Sequence, residues 1–378
     1  MNVTFLFLLI ITLFTNVHPQ TSRVTTYNLV IGTYTNKEKS NGIHIYSFDS
    51  NTGDLSHRST TLGIDNPSYL TVSHDNKNVY SVSEVGKGNA KISSFSFDGK
   101  SGELTFMNRV RAGGDGPCHI SIDAEKQIVF VSNYGSGSLT SIKLDRDALL
   151  TNDIQVIQHL GSSVDILNQS KPHVHSAILS PDQQYLLAAD LGTDKVHVYR
   201  LNKNEPEHLT AAKMPFVEIK EGSGPRHLTF HPNGRYAYSI LELSAAIAVF
   251  GYKSGTLKVK QYISMIPKDF KGGVEAADIH ISPDGKFLYG SNRSDGNDIV
   301  IFSISGDGTL SYVGRQTALI NTPRSFVIDP TGNFLLVANM DGNNVVVFRR
   351  DRRTGMITSI DKQIKVDNPV CLKFITIN

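Results

Sequence analysis

One frame returns along this chain at a spacing of about 50 residues: an apolar strand, a turn rich in Pro, Asp and Gly, then a second apolar strand. It is clearest from Pro225 (Pro-Arg-His-Leu-Thr-Phe-His-Pro-Asn-Gly-Arg-Tyr) and from Pro323 (Pro-Arg-Ser-Phe-Val-Ile-Asp-Pro-Thr-Gly-Asn-Phe). The turn Ile281-Ser-Pro-Asp-Gly285 belongs to the same frame, which recurs more loosely at Pro67, Pro117 and Pro172 and opens once more at Pro369. A period of this length means a repeat architecture, because one unit cannot bury both of its faces alone. Each unit has room for four short strands, and no stretch sustains a helical period. The pattern predicts an all-β chain folded as a β-propeller with four antiparallel strands per blade.

Opening strands occur seven times, yet the last unit ends soon after Pro369, at Asn378. The missing strands are expected at the other terminus, over Tyr27–Tyr34, Ile43–Phe48 and Leu55–Ser59. A seven-bladed ring closed by N- and C-terminal strands in one blade follows, and closure removes two exposed sheet edges. The propeller is expected over residues 21–378 as a single domain. Residues 1–20 read as a signal peptide: the apolar run Val3–Phe14 is too short to span a bilayer, and polar residues follow it at once. The expected product is secreted or periplasmic, with no membrane anchor.

Hydrophobic residues make up 39% and charged residues 19% of the chain, with 37 Lys+Arg against 35 Asp+Glu. That balance excludes disorder and the basic footprint of a nucleic-acid binder. Two cysteines, Cys118 and Cys371, are too few for a disulfide scaffold or a thiolate metal site, and they fall on separate units, so no bond between them is expected. His173-Val-His175 lacks an acidic companion at metal-ligand spacing, so neither a metal nor another cofactor is expected. The sequons Asn168-Gln-Ser170 and Asn292-Arg-Ser294 are weak signals.

The repeat register locates a candidate site. With the turn position as origin (Ala124, Pro181, Pro232, Pro283, Pro330), Cys118, His175, Arg226, Ala277 and Arg324 stand six residues before it, and Tyr134, Leu191, Glu242, Arg293 and Met340 ten after it. The start of one strand and the end of its hairpin partner lie at the same edge, so both columns belong at one mouth of the channel. A repeat made only for packing would fill such columns alike. Here neighbouring units carry His175, Arg226, Glu242 and Arg293, with His173, His227 and Tyr134 beside them, a convergent polar cluster of the kind that marks a small-molecule site. Simpler roles compete: arginines binding carbonyls of the next blade, Glu242 as plain partner of Arg226, Arg293 as a loop residue. His173 and His175 sit two apart in the chain, and one is expected to face the channel while the other packs between blades.

At these residues the chain resembles the seven-bladed lactonase family, which includes the propeller-type bacterial 6-phosphogluconolactonase and the fungal carboxymuconate lactonizing enzyme. The resemblance runs from about Tyr27 to Asn378 and is carried by Ile31-Gly-Thr-Tyr34, Asn133-Tyr-Gly-Ser-Gly-Ser138, Pro172-His-Val-His-Ser176, Gly224-Pro-Arg-His227, the Glu242 segment and Ser291-Asn-Arg293. It implies a lactonase, a carboxylic ester hydrolase acting on a sugar-acid or related lactone without metal, with His175, Arg226, Glu242 and Arg293 catalytic and His173, His227 and Tyr134 contacting substrate. Two alternatives stand beside hydrolysis: a lactonizing isomerase on the same residues, and a non-catalytic propeller that binds an acidic ligand. A monomer acting on a small lactone or sugar acid is expected.

Overall fold

The computed structural model describes residues 26–35, 42–125 and 127–376. The leader expected over residues 1–20 lies outside the described residues. These form 28 strands and no helix, arranged as seven four-stranded antiparallel sheets. The first blade combines the C-terminal strand Pro369–Thr376 with Thr26–Thr33, Ile43–Asp49 and Leu55–Thr61. The other six follow in chain order, opening on the inner strands Leu70–Val72, Pro117–Ile122, Val174–Leu179, Pro225–Phe230, Glu275–Ile281 and Pro323–Ile328.

The repeating turn shows why this sequence folds this way. Asp284 Oδ1 accepts from the Ser282 hydroxyl at 2.6 Å and from the Lys286 amide at 3.1 Å, a local mimic of backbone pairing that favours a turn over continued strand. Gly285 then adopts φ +70°, as do Gly234 at +70° and Gly332 at +74° in their units. In the units that repeat loosely, Asn76 and Gln183 hold the same left-handed position at +60° and +57°, which Asn tolerates and Gln does at a cost.

Packing follows from strands whose two faces are both covered. The second strands Ile128–Asn133 and Phe334–Asn339 are buried at every position, so they read as continuous apolar runs rather than alternating ones. Each of the seven core clusters spans one blade boundary: Phe48 of the first blade meets Phe334 of the seventh edge-on at 5.7 Å, and Phe302 and Tyr238 share the cluster between the fifth and sixth. Burying one such side chain stabilises by about 1.5–3 kcal/mol. Ring closure is a ladder from Tyr27↔Thr376 to Thr33↔Pro369, and Pro369–Thr376 packs against Leu70–Val72 on one side and Pro323–Ile328 on the other.

Two features near the channel bear on the site. Register slips at the start of five inner strands, between Pro117/His119, Val174/Ser176, Pro225/Leu228, Ala276/Ile279 and Pro323/Ser325. A bulge of this kind breaks the in-out alternation and re-aims side chains. The second feature corrects the loop reading of Asn292-Arg-Ser-Asp-Gly296: Asn292 and Arg293 are the last residues of the strand Phe287–Arg293, paired with Ala276 and Glu275. Their polar composition imitates a turn, but the ladder satisfies their backbone, and the Asn292 amide donates to Asp298 at 3.1 Å. Asn292 is therefore buried inside a sheet, whereas Asn168 is exposed. Cys118 and Cys371 are both buried and free.

Candidate active site

Inner strands run in one direction around the channel, so their first residues form one rim. On the fifth blade, Gly224 takes φ +64°, and a Cβ there would lie 2.7 Å from Leu243 Cγ. Only glycine allows that approach, which lets the Glu242 amide bond the Gly224 carbonyl at 2.8 Å. Glu242 is thereby fixed above Arg226.

Its carboxylate is the centre of the rim. Oε2 lies 2.7 Å from Arg226 Nε, Oε1 lies 3.0 Å from Arg293 Nη2, and His175 Nε2 stands 3.8 Å from Oε2. Three blades thus bring His175, Arg226 and Arg293 to the Glu242 carboxylate, with side-chain exposures of 2% for Arg226, 8% for Arg293, 6% for His175 and 17% for Glu242. Charges this dry persist only when paired. Burial alone would raise the Glu242 carboxyl, but Arg293 and Arg226 outweigh it and hold it below its ordinary value. Burial and then Arg226 push the His175 imidazole well below 6.5. It is neutral at pH 7, with a lone pair available.

The Arg226 guanidinium is held from beneath as well. Its Nη1 donates to the Ala277 carbonyl of the next blade and contacts His227 Nε2 at 3.2 Å. His227 Nδ1 lies 2.9 Å from Asp278 Oδ1, and burial and Arg226 lower His227 to about 4. The neutral ring donates from Nδ1 to Asp278 and accepts at Nε2. His227, expected to contact substrate, instead lies one layer below the rim, between Arg226 and Asp278.

The two histidines of the fourth blade part ways although residues two apart on a regular strand share a face: His173 precedes the strand Val174–Leu179, and the register slips between Val174 and Ser176. His175 faces Glu242. His173 stacks on Tyr134 at 4.3 Å with Nδ1 2.8 Å from the Tyr134 carbonyl, and Tyr134 meets His175 edge-on at 5.4 Å. The His173 amide donates to Asp190 at 2.8 Å. His159, Asp190 and His197 lie close enough to one another to share a metal ion. However, both ring nitrogens of His159 are engaged, with Asp190 at 2.8 Å and the Tyr199 hydroxyl at 2.8 Å, so the cluster acts as a hydrogen-bonded support for the His173 segment. Cys118 Sγ lies 3.7 Å from His175 Nδ1, but burial pushes its thiol up, and a protonated thiol is a poor nucleophile.

The rest of the rim holds residues outside the expected set. On the seventh blade, Arg324 Nη2 donates to the Tyr34 hydroxyl at 2.8 Å, with the guanidinium 5.3 Å from the Tyr34 ring centroid. Tyr34 donates to Glu84 at 2.9 Å, and Ser68 donates to the same carboxylate. Arg324 has no carboxylate in ion-pair reach among the described residues, so on this side of the rim the cation is unpaired and one hydroxyl separates it from Glu84. The signal for these residues lay in the register. Arg324 occupies the Arg226 column, and applying the same offsets to the loose unit, with His74 as origin, gives Ser68 and Glu84.

Comparison with known proteins agrees with this architecture. A family model described as lactonase, 7-bladed beta-propeller, matches residues 28–374. The chain is 37% identical to a 6-phosphogluconolactonase of Formosa agariphila over 92% of its own length and 99% of that protein. It is 35% identical to a 6-phosphogluconolactonase of Bacillus subtilis over 93% and 99%. The structure of a periplasmic gluconolactonase of Pseudomonas aeruginosa superposes with a TM-score of 0.88 at 36% identity, covering 93% of this chain and 100% of that one. The repeat, the closed ring and these relatives lead to one assignment: the chain belongs to the lactonase family of seven-bladed β-propellers.

Proposed function

We propose that this enzyme hydrolyses a lactone ring at the rim, with water attacking the carbonyl carbon between His175 and Glu242. The observation that carries this reading is the Glu242 carboxylate, clamped by Arg226 and Arg293 3.8 Å from a neutral imidazole. As water attacks, His175 takes its proton, and the imidazolium that forms gains Glu242 as counter-charge. The carbonyl oxygen becomes an oxyanion in a field set by the buried guanidiniums of Arg226 and Arg293. When the ring C–O bond breaks, the imidazolium returns the proton to the leaving alkoxide, giving a hydroxy acid. Tyr134 and His173 hold the His175 ring.

Both Arg226 and Arg293 have Glu242 as counter-charge, so the rim guanidinium without a carboxylate in direct contact, and the one that would take an acidic group of the substrate, is Arg324. The planar fork of guanidinium suits carboxylate and phosphate alike. Arg324 is also among the charges that depress His175. An anion bound there would offset that charge and strengthen the base when substrate is present. Supporting a lactone substrate, the relatives are named 6-phosphogluconolactonase and gluconolactonase. The leader expected at residues 1–20 and the periplasmic relative support export, which sequencing the amino terminus of the exported chain would test.

The deciding experiment is a panel of uncharged and anionic lactones incubated with the enzyme, with and without chelator, and products read by mass. Hydrolysis adds the mass of water, unchanged by chelator. Mass-neutral conversion, loss of activity with chelator, or wild-type rates in Glu242→Gln would overturn the proposal.

A further inference from the structure

The channel has a second polar chamber one layer below the rim. Its volume is about 200 Å³, and its walls are the middle and far ends of the inner strands, with Tyr69, His119, Asp278 and Lys373 among the polar residues. It shares His227 with the support of Arg226 but contains none of His175, Arg226, Glu242 and Arg293.

Hydrogen-bond demand in this chamber is one-sided. The Lys373 ammonium, partly buried on the closing strand, donates to the Tyr69 hydroxyl at 3.3 Å and lies 4.6 Å from the Tyr69 ring centroid. It makes no ion pair among the described residues. Tyr69 and Cys371 supply no charge at neutral pH, since burial pushes them up to about 12 and about 11. The one carboxylate present, Asp278, is already occupied: His227 Nδ1 at 2.9 Å, the Ile279 amide at 3.0 Å, His280 Nε2 at 3.2 Å, the Ser325 hydroxyl at 3.0 Å and the Phe326 amide at 3.2 Å all converge on it. On the other wall, the His119 ring lies tilted against Tyr69 at 4.4 Å, and its Nδ1 takes only a long 3.4 Å contact from the Ala177 amide. That leaves Nε2–H to face the chamber. Two Lys373 protons, the Tyr69 hydroxyl and the His119 ring are donors in want of an acceptor. Donors around an ammonium without a free carboxylate are what a small oxyanion requires.

We propose that this chamber is a binding site for a small oxyanion, carboxylate or phosphate, held by Lys373, Tyr69 and His119. The site is separate from the rim and does not depend on the proposed hydrolysis.

Calorimetric titration of the full chain with inorganic phosphate, and in a second arm with acetate, tests it. Saturable binding of at least one anion is expected, weakened at least about tenfold in Lys373→Met and about two- to fivefold in Tyr69→Phe, in line with loss of a charged and a neutral hydrogen bond. The arm that binds identifies the chemistry. Arg324→Met separates this chamber from the rim and should leave the Lys373-dependent component intact. Lys373 lies on the strand that closes the ring, so if Lys373→Met does not fold, the double variant Tyr69→Phe with His119→Gln decides by the same titration. Wild-type affinity in Lys373→Met, complete loss of binding in Arg324→Met, or no saturable heat for either anion up to about 10 mM would overturn the proposal.

Discussion

On the fourth to sixth blades, two guanidiniums close on the Glu242 carboxylate beside His175. On the seventh, first and second blades, Arg324 leans on the Tyr34 hydroxyl, and Tyr34, not Arg324, reaches the Glu84 carboxylate. The two halves of the rim use the same side-chain types to opposite ends. In the first half the acid is countered within hydrogen-bond distance, so its geometry is fixed before any ligand arrives and its field can act on a transition state without reorganisation. In the second half a cation is held in place without a direct ion pair, its nearest carboxylate one hydroxyl away. A bound anion would complete that half, and there binding energy is to be gained.

Removing the central carboxylate should separate the halves most sharply. Glu242→Gln keeps the shape but takes away the charge that orients two guanidiniums and receives the imidazolium, and kcat/KM should fall by about 10²–10³. Glu84→Gln, on the open half, should cost less than about tenfold, because it changes only the acceptor of the Tyr34 and Ser68 hydroxyls. Glu242→Gln also leaves Arg226 dry and unpaired and Arg293 with only Glu275 at 3.9 Å, which can cost about 3–5 kcal/mol of stability, so rates are to be compared well below the measured melting temperature of each variant. Equal losses in the two variants would erase the distinction. Next in size is Arg324→Met. It should raise KM for an anionic lactone by about 10–10², the worth of a charge-assisted hydrogen bond, while an uncharged lactone changes by less than about threefold. Equal effects on both substrates would assign Arg324 to the chemistry instead of to anion binding.

The closed half was largely legible in the sequence and the open half only at Arg324, for a physical reason. Blades five and six repeat tightly because Gly234 and Gly285 meet the left-handed demand of the turn. The register there is unambiguous, and Arg226, Glu242 and Arg293 fall out of it by counting. The second blade reaches the same turn with Asn76, the motif blurs, and Ser68 and Glu84 go uncounted although they hold the same columns. Tyr34 has no column, because it follows the strand that pairs with the C-terminus. Arg293 was placed at the rim but read as loop, since Asn, Ser, Asp and Gly around it mimic a turn when the ladder partner Glu275 is out of view. Sequence could not foresee that bulges turn Arg226 and His227 to successive layers, nor that burial removes the ordinary basicity of His175.

That depressed imidazole makes the comparison sensitive to pH. A base whose pKa lies well below 6.5 stays unprotonated as acid is added. The acid limb of kcat/KM should therefore fall below pH 6.5, and an unbuffered imidazole limb at 6.5 would contradict the assignment of His175. Stability should move the other way. His119, His175 and His227 are all held below 6.5, first by burial. Below pH 6.5 the unfolded chain takes up protons that the folded ring refuses, so stability falls with acid by up to about 1.4 kcal/mol per pH unit per histidine. For His227 the decline continues to about pH 4. Urea midpoints at pH 7, 6 and 5 should decrease in that order, and His227→Gln should flatten the slope.

The smallest effect probes how the open half stays open. The Tyr34 hydroxyl accepts from Arg324 at 2.8 Å and donates to Glu84 at 2.9 Å, so it stands between a cation and an anion that would otherwise attract each other. Tyr34→Phe removes one hydroxyl, worth about 0.5–1.5 kcal/mol, and should raise KM for an anionic lactone by about two- to tenfold. Two causes could produce that rise, and a double variant tells them apart. If Tyr34 only steadies Arg324, adding Glu84→Gln leaves KM where it is or raises it further. If Tyr34 holds the guanidinium away from Glu84, the single variant lets the two close into an ion pair, and neutralising Glu84 in the Tyr34→Phe background lowers KM again. We expect the second result, because Arg324 already reaches Tyr34 and one hydroxyl is all that intervenes before the carboxylate. An additive double variant would mean that the unpaired cation is set by Arg324 alone.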